Sequence, residues 1–146
     1  MTLRLKVEGL VVHYRSERGI VRAVDGVSLE IAAGEALGLV GESGSGKSSL
    51  ALALLRLLPS NVAQFQGRVY LDGREVMSLE QAEFRRRVRW RQVAMVFQGA
   101  LEAFNPVLKV GQQVVEPLLQ NGGVARQEAE DRVRQRFAEL GLSPDV

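Results

Sequence analysis

From residue 41 the chain reads Gly41-Glu42-Ser43-Gly44-Ser45-Gly46-Lys47-Ser48, and no other stretch restricts the local backbone as much. Its three glycines allow a tight curl in which successive N–H groups point into one concavity. A short apolar run, Ala36 to Val40, precedes it and predicts a buried parallel strand. The segment after it predicts a helix from about Lys47 to Leu58, stopped by Pro59. A glycine-rich turn that opens a helix attracts anions, because its amides surround the charge and the helix dipole adds about half a positive charge. The spacing G-x-x-x-x-G-K-[ST] is matched at every fixed position and points to a nucleoside triphosphate. Gly41, Ser43, Gly44, Ser45 and Gly46 are expected to cradle its phosphates. Lys47 is expected to reach the β- and γ-phosphates, the Ser48 hydroxyl to coordinate Mg²⁺, and Ser49 to bond an α-phosphate oxygen.

Leu3, Leu5 and Val7, then Leu10 to Val12, predict a strand, and Val21 to Ile31 a second extended segment after a polar turn at Arg15 to Gly19. Gly67 to Val76 reads as a β-hairpin turning at Asp72-Gly73. Leu79 to about Trp90 reads as helical, and Val93 to Phe97 as a second buried strand ending at Gln98. From Gly111 the pattern is helical: Val114, Val115, Leu118 and Leu119 share a face, and Asn121-Gly122-Gly123 breaks the run. Ala125 to Leu140 is the clearest helix, with a stripe of Ala129, Val133, Phe137 and Leu140. Arg126 with Glu130, Glu128 with Arg132, and Glu130 with Arg134 fall at i,i+4 spacing. Gly141 is placed as its C-terminal cap, with Pro144 following.

The 146 residues suffice for one ordinary domain. Nineteen basic residues nearly cancel seventeen acidic ones, so the net charge of +2 is weak support for a nucleic-acid surface. The arginines at 85, 86, 87, 89 and 91 cluster beside Trp90, but Glu80 and Glu83 lie among them, which favours a solvated helix face. The absence of cysteine removes disulfides and thiolate metal sites and fits a reducing compartment. The most apolar stretch, Leu50 to Pro59, is far short of the roughly 20 residues a spanning helix needs. Arg4, Lys6 and Glu8 interrupt any N-terminal signal, so a membrane role is expected to run through a partner.

Three stretches resemble the ATP-binding-cassette (ABC) ATPases: His13-Tyr14-Arg15 ahead of Ala23-Val24-Asp25-Gly26-Val27-Ser28, the run from Gly34 to Ser48, and Val93 to Gln98. The resemblance implies an α/β phosphate-loop NTPase fold, present in part, with an antiparallel β portion and the start of a helical subdomain. Residues 1–110 would be the ATP-binding core portion and 111–146 the start of the helical arm. Tyr14 matches the family's adenine-stacking aromatic. Gln98 matches its Q-loop glutamine, a catalytic residue with Lys47 that touches Mg²⁺ or the attacking water. The segment from Phe97 to Pro106 resembles that of oligopeptide and dipeptide importers, as do Gln112 and Pro117, taken to flank the next helix, and Gly141-Leu142. Departures are Gly99, where an Asp is common, and Trp90, where a Gly is common; they leave the solute open, and some relatives with Gly-Ala after the glutamine are linked to sugar oligomers.

The family's signature motif, its strand ending in Asp-Glu and its switch histidine have no counterpart in these residues. Val69 to Asp72 superficially resembles that strand, but Asp72-Gly73 is a turn signal. The resemblance thus reads the chain as the N-terminal part of a transporter ATPase that binds Mg-ATP with little hydrolysis. In the family, strands from beyond these residues lie between the two predicted buried strands, which therefore lack neighbours here. The implied partners are transmembrane permease subunits and a second ATP-binding subunit, at the cytoplasmic face of a prokaryotic inner membrane, with no nucleic acid. A nucleic-acid-linked ABC ATPase, a small-molecule kinase and a non-binding fragment are the competing readings.

Overall fold

The computed structural model of the protein describes residues 3–99 and 104–143. The chain forms two compact units, 1–95 and 96–146.

The first unit is built on an antiparallel sheet. Strand β1 (Leu3–Ser16) turns at Glu17-Arg18 into β2 (Gly19–Ala32). Helix α1 (Lys47–Leu54) follows, then β3 (Val62–Leu71), the short β4 (Arg74–Glu75) and α2 (Gln81–Arg87). The sheet order is β2-β1-β3-β4. As the sequence predicts, Asp72 and Gly73 form the turn between β3 and β4, both with positive φ (48° and 78°). Asp72 is held there by Arg4 at 2.8 and 2.9 Å, which settles its role as a turn residue. Alternation puts Val69 and Leu71 of β3 on one face, and a register shift between Val7 and Leu10 brings Val7, Leu10 and Val12 of β1 with Val24 of β2 into the same core. Leu50 and Ala53 of α1, with Phe84 and Val88 from α2 and its end, complete that core. Burial of one such leucine contributes about 2 kcal/mol, so packing rather than helix propensity holds the eight-residue α1.

Two predicted strands do not form. Residues 36–40 run without regular structure, with Val40 92% exposed, and beyond an isolated bridge from Val93 to Arg89 residues 94–97 are equally irregular, with Val96 90% exposed. A parallel strand needs a neighbour on which to place its N–H and C=O groups, and among the described residues none lies beside either segment. Helix α1 also ends four residues before the predicted Leu58: Arg56 takes a left-handed φ of 52°, so the backbone turns out well before Pro59. Helix α2 is likewise shorter than the predicted Leu79–Trp90.

Between β4 and α2 the Glu75 carboxylate accepts bonds from the backbone N–H of Met77 (2.7 Å) and Ser78 (2.9 Å) and from the Ser78 hydroxyl. Burial pushes this carboxyl up, but the bonds from Ser78 and Met77 outweigh it and leave it below its ordinary value. A depressed carboxylate contributes stability above its unfolded value near 4.5 that is lost as pH falls through the folded value. Glu75→Gln is therefore expected to cost about 0.5 kcal/mol at pH 7, after allowance for solvent screening. The difference from wild type should shrink as pH falls below 4.5; a series of urea titrations from pH 7 downward checks this, and a difference that stays constant with pH refutes it.

Trp90 sits at φ 65° with its side chain 65% exposed, and its N–H bonds Val93 O at 2.9 Å. The left-handed backbone costs an L-residue about 1–2 kcal/mol, partly offset by the entropy glycine loses on folding. Trp90→Gly is expected to stabilise the protein by about 0.5–1 kcal/mol, read as a higher urea midpoint; a lower midpoint would show that the indole contributes more than the strain costs.

The second unit contains helices α3 (Val110–Gly122) and α4 (Arg126–Glu139). Val115, Ala129, Val133 and Phe137 form its core, with Val114, Leu118 and Leu119 against it, as the periodicity predicts. Leu140 does not join the stripe: it is the cap residue and is 73% exposed. The Gly141 N–H bonds Ala138 O (3.1 Å) and the Leu142 N–H bonds Phe137 O (2.8 Å), the paired contacts of a glycine-terminated helix. The three expected ion pairs on α4 form at 2.6–3.7 Å, each worth about 0.3–0.5 kcal/mol. Gln112 and Pro117 lie inside α3 instead of flanking it, because Val110 already opens the helix. Pro117 then removes one backbone bond from it. Ala100 to Ala103, within the stretch that resembles peptide importers, and Pro144 lie outside the described residues.

Candidate functional site

The loop from Gly41 to Gly46 closes on itself through Ser45 N–H to Glu42 O at 3.2 Å. Gly46 is the N-cap of α1, with φ 94° and ψ 0°. A Cβ built on Gly46 would lie 1.9 Å from Ala23 O, a backbone atom of β2. The loop is thus pressed against the sheet at the one point where only glycine fits. The N-terminus of α1 has no side-chain cap and no acidic residue in its first turn, so its free amides and partial positive charge are left for a ligand.

Lys47 Nζ arches back over the loop, donating to Gly41 O (2.7 Å), Glu42 O (2.7 Å) and Ser45 Oγ (3.0 Å). A cation is thereby fixed over the loop, at the N-terminal end of α1. Ser43, Gly44 and Ser48 are exposed, and Ser49 is half-buried. A cleft of about 350 Å³ opens beside the loop, lined among others by Arg22 and Asp25 of β2, Leu39, Gly41, Lys47 and Leu50. The donor set fits a polyphosphate: backbone amides, one ammonium and hydroxyls, with no carboxylate facing them within α1's first turn. Among the described residues no cluster of three His, Cys, Asp or Glu side chains exists to hold a metal. A magnesium ion here would take Ser48 from the protein and its other oxygens from phosphate and water.

Of the expected phosphate-binding residues the structure brings Gly41, Ser45, Gly46 and Lys47 to this cleft, while Ser43, Gly44, Ser48 and Ser49 lie in the loop and the first turn of α1 without lining it. It places Tyr14 on β1, opposite Val21 and Val62, half-buried and packed against the core. Tyr14 is not among the residues lining the cleft. Gln98 belongs to the second unit, in a turn after the exposed Phe97. Sequence reasoning missed two contributors. Ala23 acts through its backbone oxygen, for which no side-chain signal exists. Arg89 was one of five clustered arginines; Arg85, Arg86 and Arg87 are exposed as expected, with Arg87 paired to Glu83 at 3.1 Å, but Arg89 turns inward onto Leu55 O and Arg56 O. His13 is buried, with Nε2 3.2 Å from Asp25 Oδ1, which holds the cleft edge of β2.

Comparison with known proteins agrees with this geometry. A probable peptide ABC transporter ATP-binding protein of Sinorhizobium fredii is 41% identical over 128 residues, covering 87% of this chain and 38% of the relative. An oligopeptide transport ATP-binding protein, OppD, of Haemophilus influenzae is 38% identical over 125 residues, covering 86% of this chain and 38% of its own. Among solved structures, an ATP-binding cassette described as a dimer in a post-hydrolysis state bound to ADP and Pi superposes with a TM-score of 0.71. It is 27% identical, over 92% of this chain and 57% of that one. The chain thus spans about two-fifths of the length of the curated relatives it matches. The family model described as ABC transporter matches residues 24–145, which takes in the loop, its helix and most of the chain after β1, and the chain belongs to that family.

Proposed function

We propose that this chain forms the phosphate-binding portion of an ATPase subunit that powers import of oligopeptides or dipeptides. The observation that carries the reading is the loop itself: Gly46 packed on Ala23 O, with the Lys47 ammonium held over the loop by Gly41 O, Glu42 O and Ser45 Oγ at 2.7–3.0 Å. Peptide as the solute rests on the names of the relatives. In the proposed reading ATP is the ligand, its phosphates lie on the residues from Gly41 to Ser49, and Tyr14 stacks on adenine. Gln98 takes the role of the family's Q-loop glutamine. The partners are permease subunits and a second ATP-binding subunit, with the protein peripheral at the cytoplasmic face of a bacterial membrane. No helix among the described residues is long and apolar enough to cross a bilayer, so attachment would run through the permease. In-line attack on a γ-phosphate needs a positioned water as well as charge neutralisation. None of the residues proposed for the site (Lys47, Ser48 and Gln98) is a general base for water, so binding without appreciable turnover is expected.

Titration with a fluorescent ATP analogue and Mg²⁺ tests this. Lys47→Ala is expected to weaken binding by about 10- to 100-fold, since it removes a charge-assisted contact worth about 1.5–3 kcal/mol. Tyr14→Ala is expected to cost about 1–3 kcal/mol if the ring stacks on the base. Unchanged affinity in folded Lys47→Ala protein would refute the phosphate-loop reading, and unchanged affinity in Tyr14→Ala the adenine platform alone.

A further inference from the structure

Helix α1 is only eight residues long, so its ends are about 12 Å apart. Whatever fixes its C-terminal end also aims the amides at its N-terminal end. That far end is bound tightly. Arg56 N–H bonds Ala53 O (3.0 Å) and Leu57 N–H bonds Leu52 O (2.9 Å), which satisfies two of the carbonyls left free by the helix. Just past the helix, the carbonyls of Leu55 and Arg56 are taken by one guanidinium: Arg89 Nε donates to Leu55 O at 2.8 Å and Arg89 Nη2 to Arg56 O at 2.7 Å. The Arg56 side chain runs the other way and donates to Leu79 O at 2.7 Å, just ahead of α2. Both guanidiniums lie over the ring of Phe84, at 4.9 and 5.7 Å from its centroid, and Phe84 is fully buried.

This arrangement is costly unless it has a purpose. Burial, then the nearby Arg56 and Arg85, pushes the Arg89 guanidinium below its ordinary value, and no carboxylate among the described residues pairs with it or with Arg56. Two cations are held together at the negative end of a short helix by carbonyl oxygens and one ring. The favourable terms are the dipole of α1 and the two-pronged fit of a planar guanidinium to two adjacent carbonyls.

We infer that Arg89, assisted by Arg56, is a positioning residue for the phosphate loop. It ties the C-terminal end of α1 to the segment after α2, so that Gly46 stays seated on Ala23 O and Lys47 and Ser48 keep the directions a polyphosphate needs. The inference rests on the reading that the loop binds nucleotide phosphates. It makes the arginine-rich stretch after α2 part of the nucleotide site's support, although none of its side chains lines the cleft.

The test compares wild type, Arg89→Met, Arg89→Lys and Lys47→Ala of the full chain. Two readouts are taken: the urea midpoint, and the dissociation constant for a fluorescent ATP analogue with Mg²⁺ at a temperature where each protein is folded by circular dichroism. Affinity is expected to fall about tenfold in Arg89→Met and by a smaller factor in Arg89→Lys, which keeps the charge but loses the fork. Lower urea midpoints with wild-type affinity in both Arg89 variants would overturn the inference, since a merely structural arginine moves stability alone. Should Arg89→Met not fold, Arg89→Lys decides: weakened binding supports the role and full affinity overturns it. A wild type that does not bind, or a Lys47→Ala protein that binds as wild type does, overturns the phosphate-loop reading and this inference together. Loss of affinity at Lys47 without loss at Arg89 overturns this inference only.

Discussion

Gly46→Ala is expected to abolish binding of an ATP analogue and to lower the melting temperature of the protein by about 10 °C. Two costs combine. The backbone at φ 94° lies outside the region an alanine adopts comfortably, which costs about 1–2 kcal/mol. The added Cβ would also lie 1.9 Å from Ala23 O and 3.0 Å from Ala23 C, both backbone atoms of β2 that no rotamer change can move aside. Relief of such overlap costs about 1–3 kcal/mol and requires the loop to lift off the sheet. Lifting the loop turns the α1 amides and Lys47 away from their shared focus, so binding falls further than stability. Gly44→Ala is the control. Its φ is 81° but a Cβ there meets nothing within 4 Å, so only the backbone cost of about 1 kcal/mol applies. Calorimetry and fluorescence titration of the two variants together check the argument; equal losses at Gly44 and Gly46 would show that contact with β2 does not set the loop.

Phe84→Ala is expected to cost about 3–5 kcal/mol of stability. Phe84 heads the fully buried side chains by volume, and it joins α2 to the sheet and to α1 within one core. The substitution leaves a cavity that the short elements around it close only in part. It also removes the ring from beneath Arg56 and Arg89, exposing two cations to a void. Urea denaturation should show a lower midpoint with an unchanged slope, the mark of lost stability without a change in the unfolded state. Phe84→Leu, which keeps most of the volume, should cost far less, about 1.5 kcal/mol. A loss below 1 kcal/mol in Phe84→Ala would mean that the sheet, α1 and α2 do not share a single core.

These two residues illustrate different degrees of legibility. Gly46 could be marked from spacing, because curling a chain around phosphates and then starting a helix requires a glycine immediately before the lysine. Phe84 was only one apolar residue in a stretch crowded with arginines, and nothing local set it apart from Trp90, which is exposed.

Local chemistry by itself determined the parts of this protein whose bonds close within a few residues. The Asp72-Gly73 turn, the i,i+4 ion pairs of α4, its Gly141 ending and the loop from Gly41 to Ser48 were all readable because their partners are near in sequence. The tertiary structure decided the rest. Residues 36–40 and 94–97 have strand composition but no strand, because a strand is completed by the backbone of a neighbour and none stands beside them among the described residues. Gly46 is irreplaceable through Ala23 O, 23 residues away, and Arg89 turns inward through carbonyls 34 and 33 residues away. Such contacts join backbone atoms to groups distant in sequence, and backbone atoms are the same in every residue, so no pattern of side chains announces them.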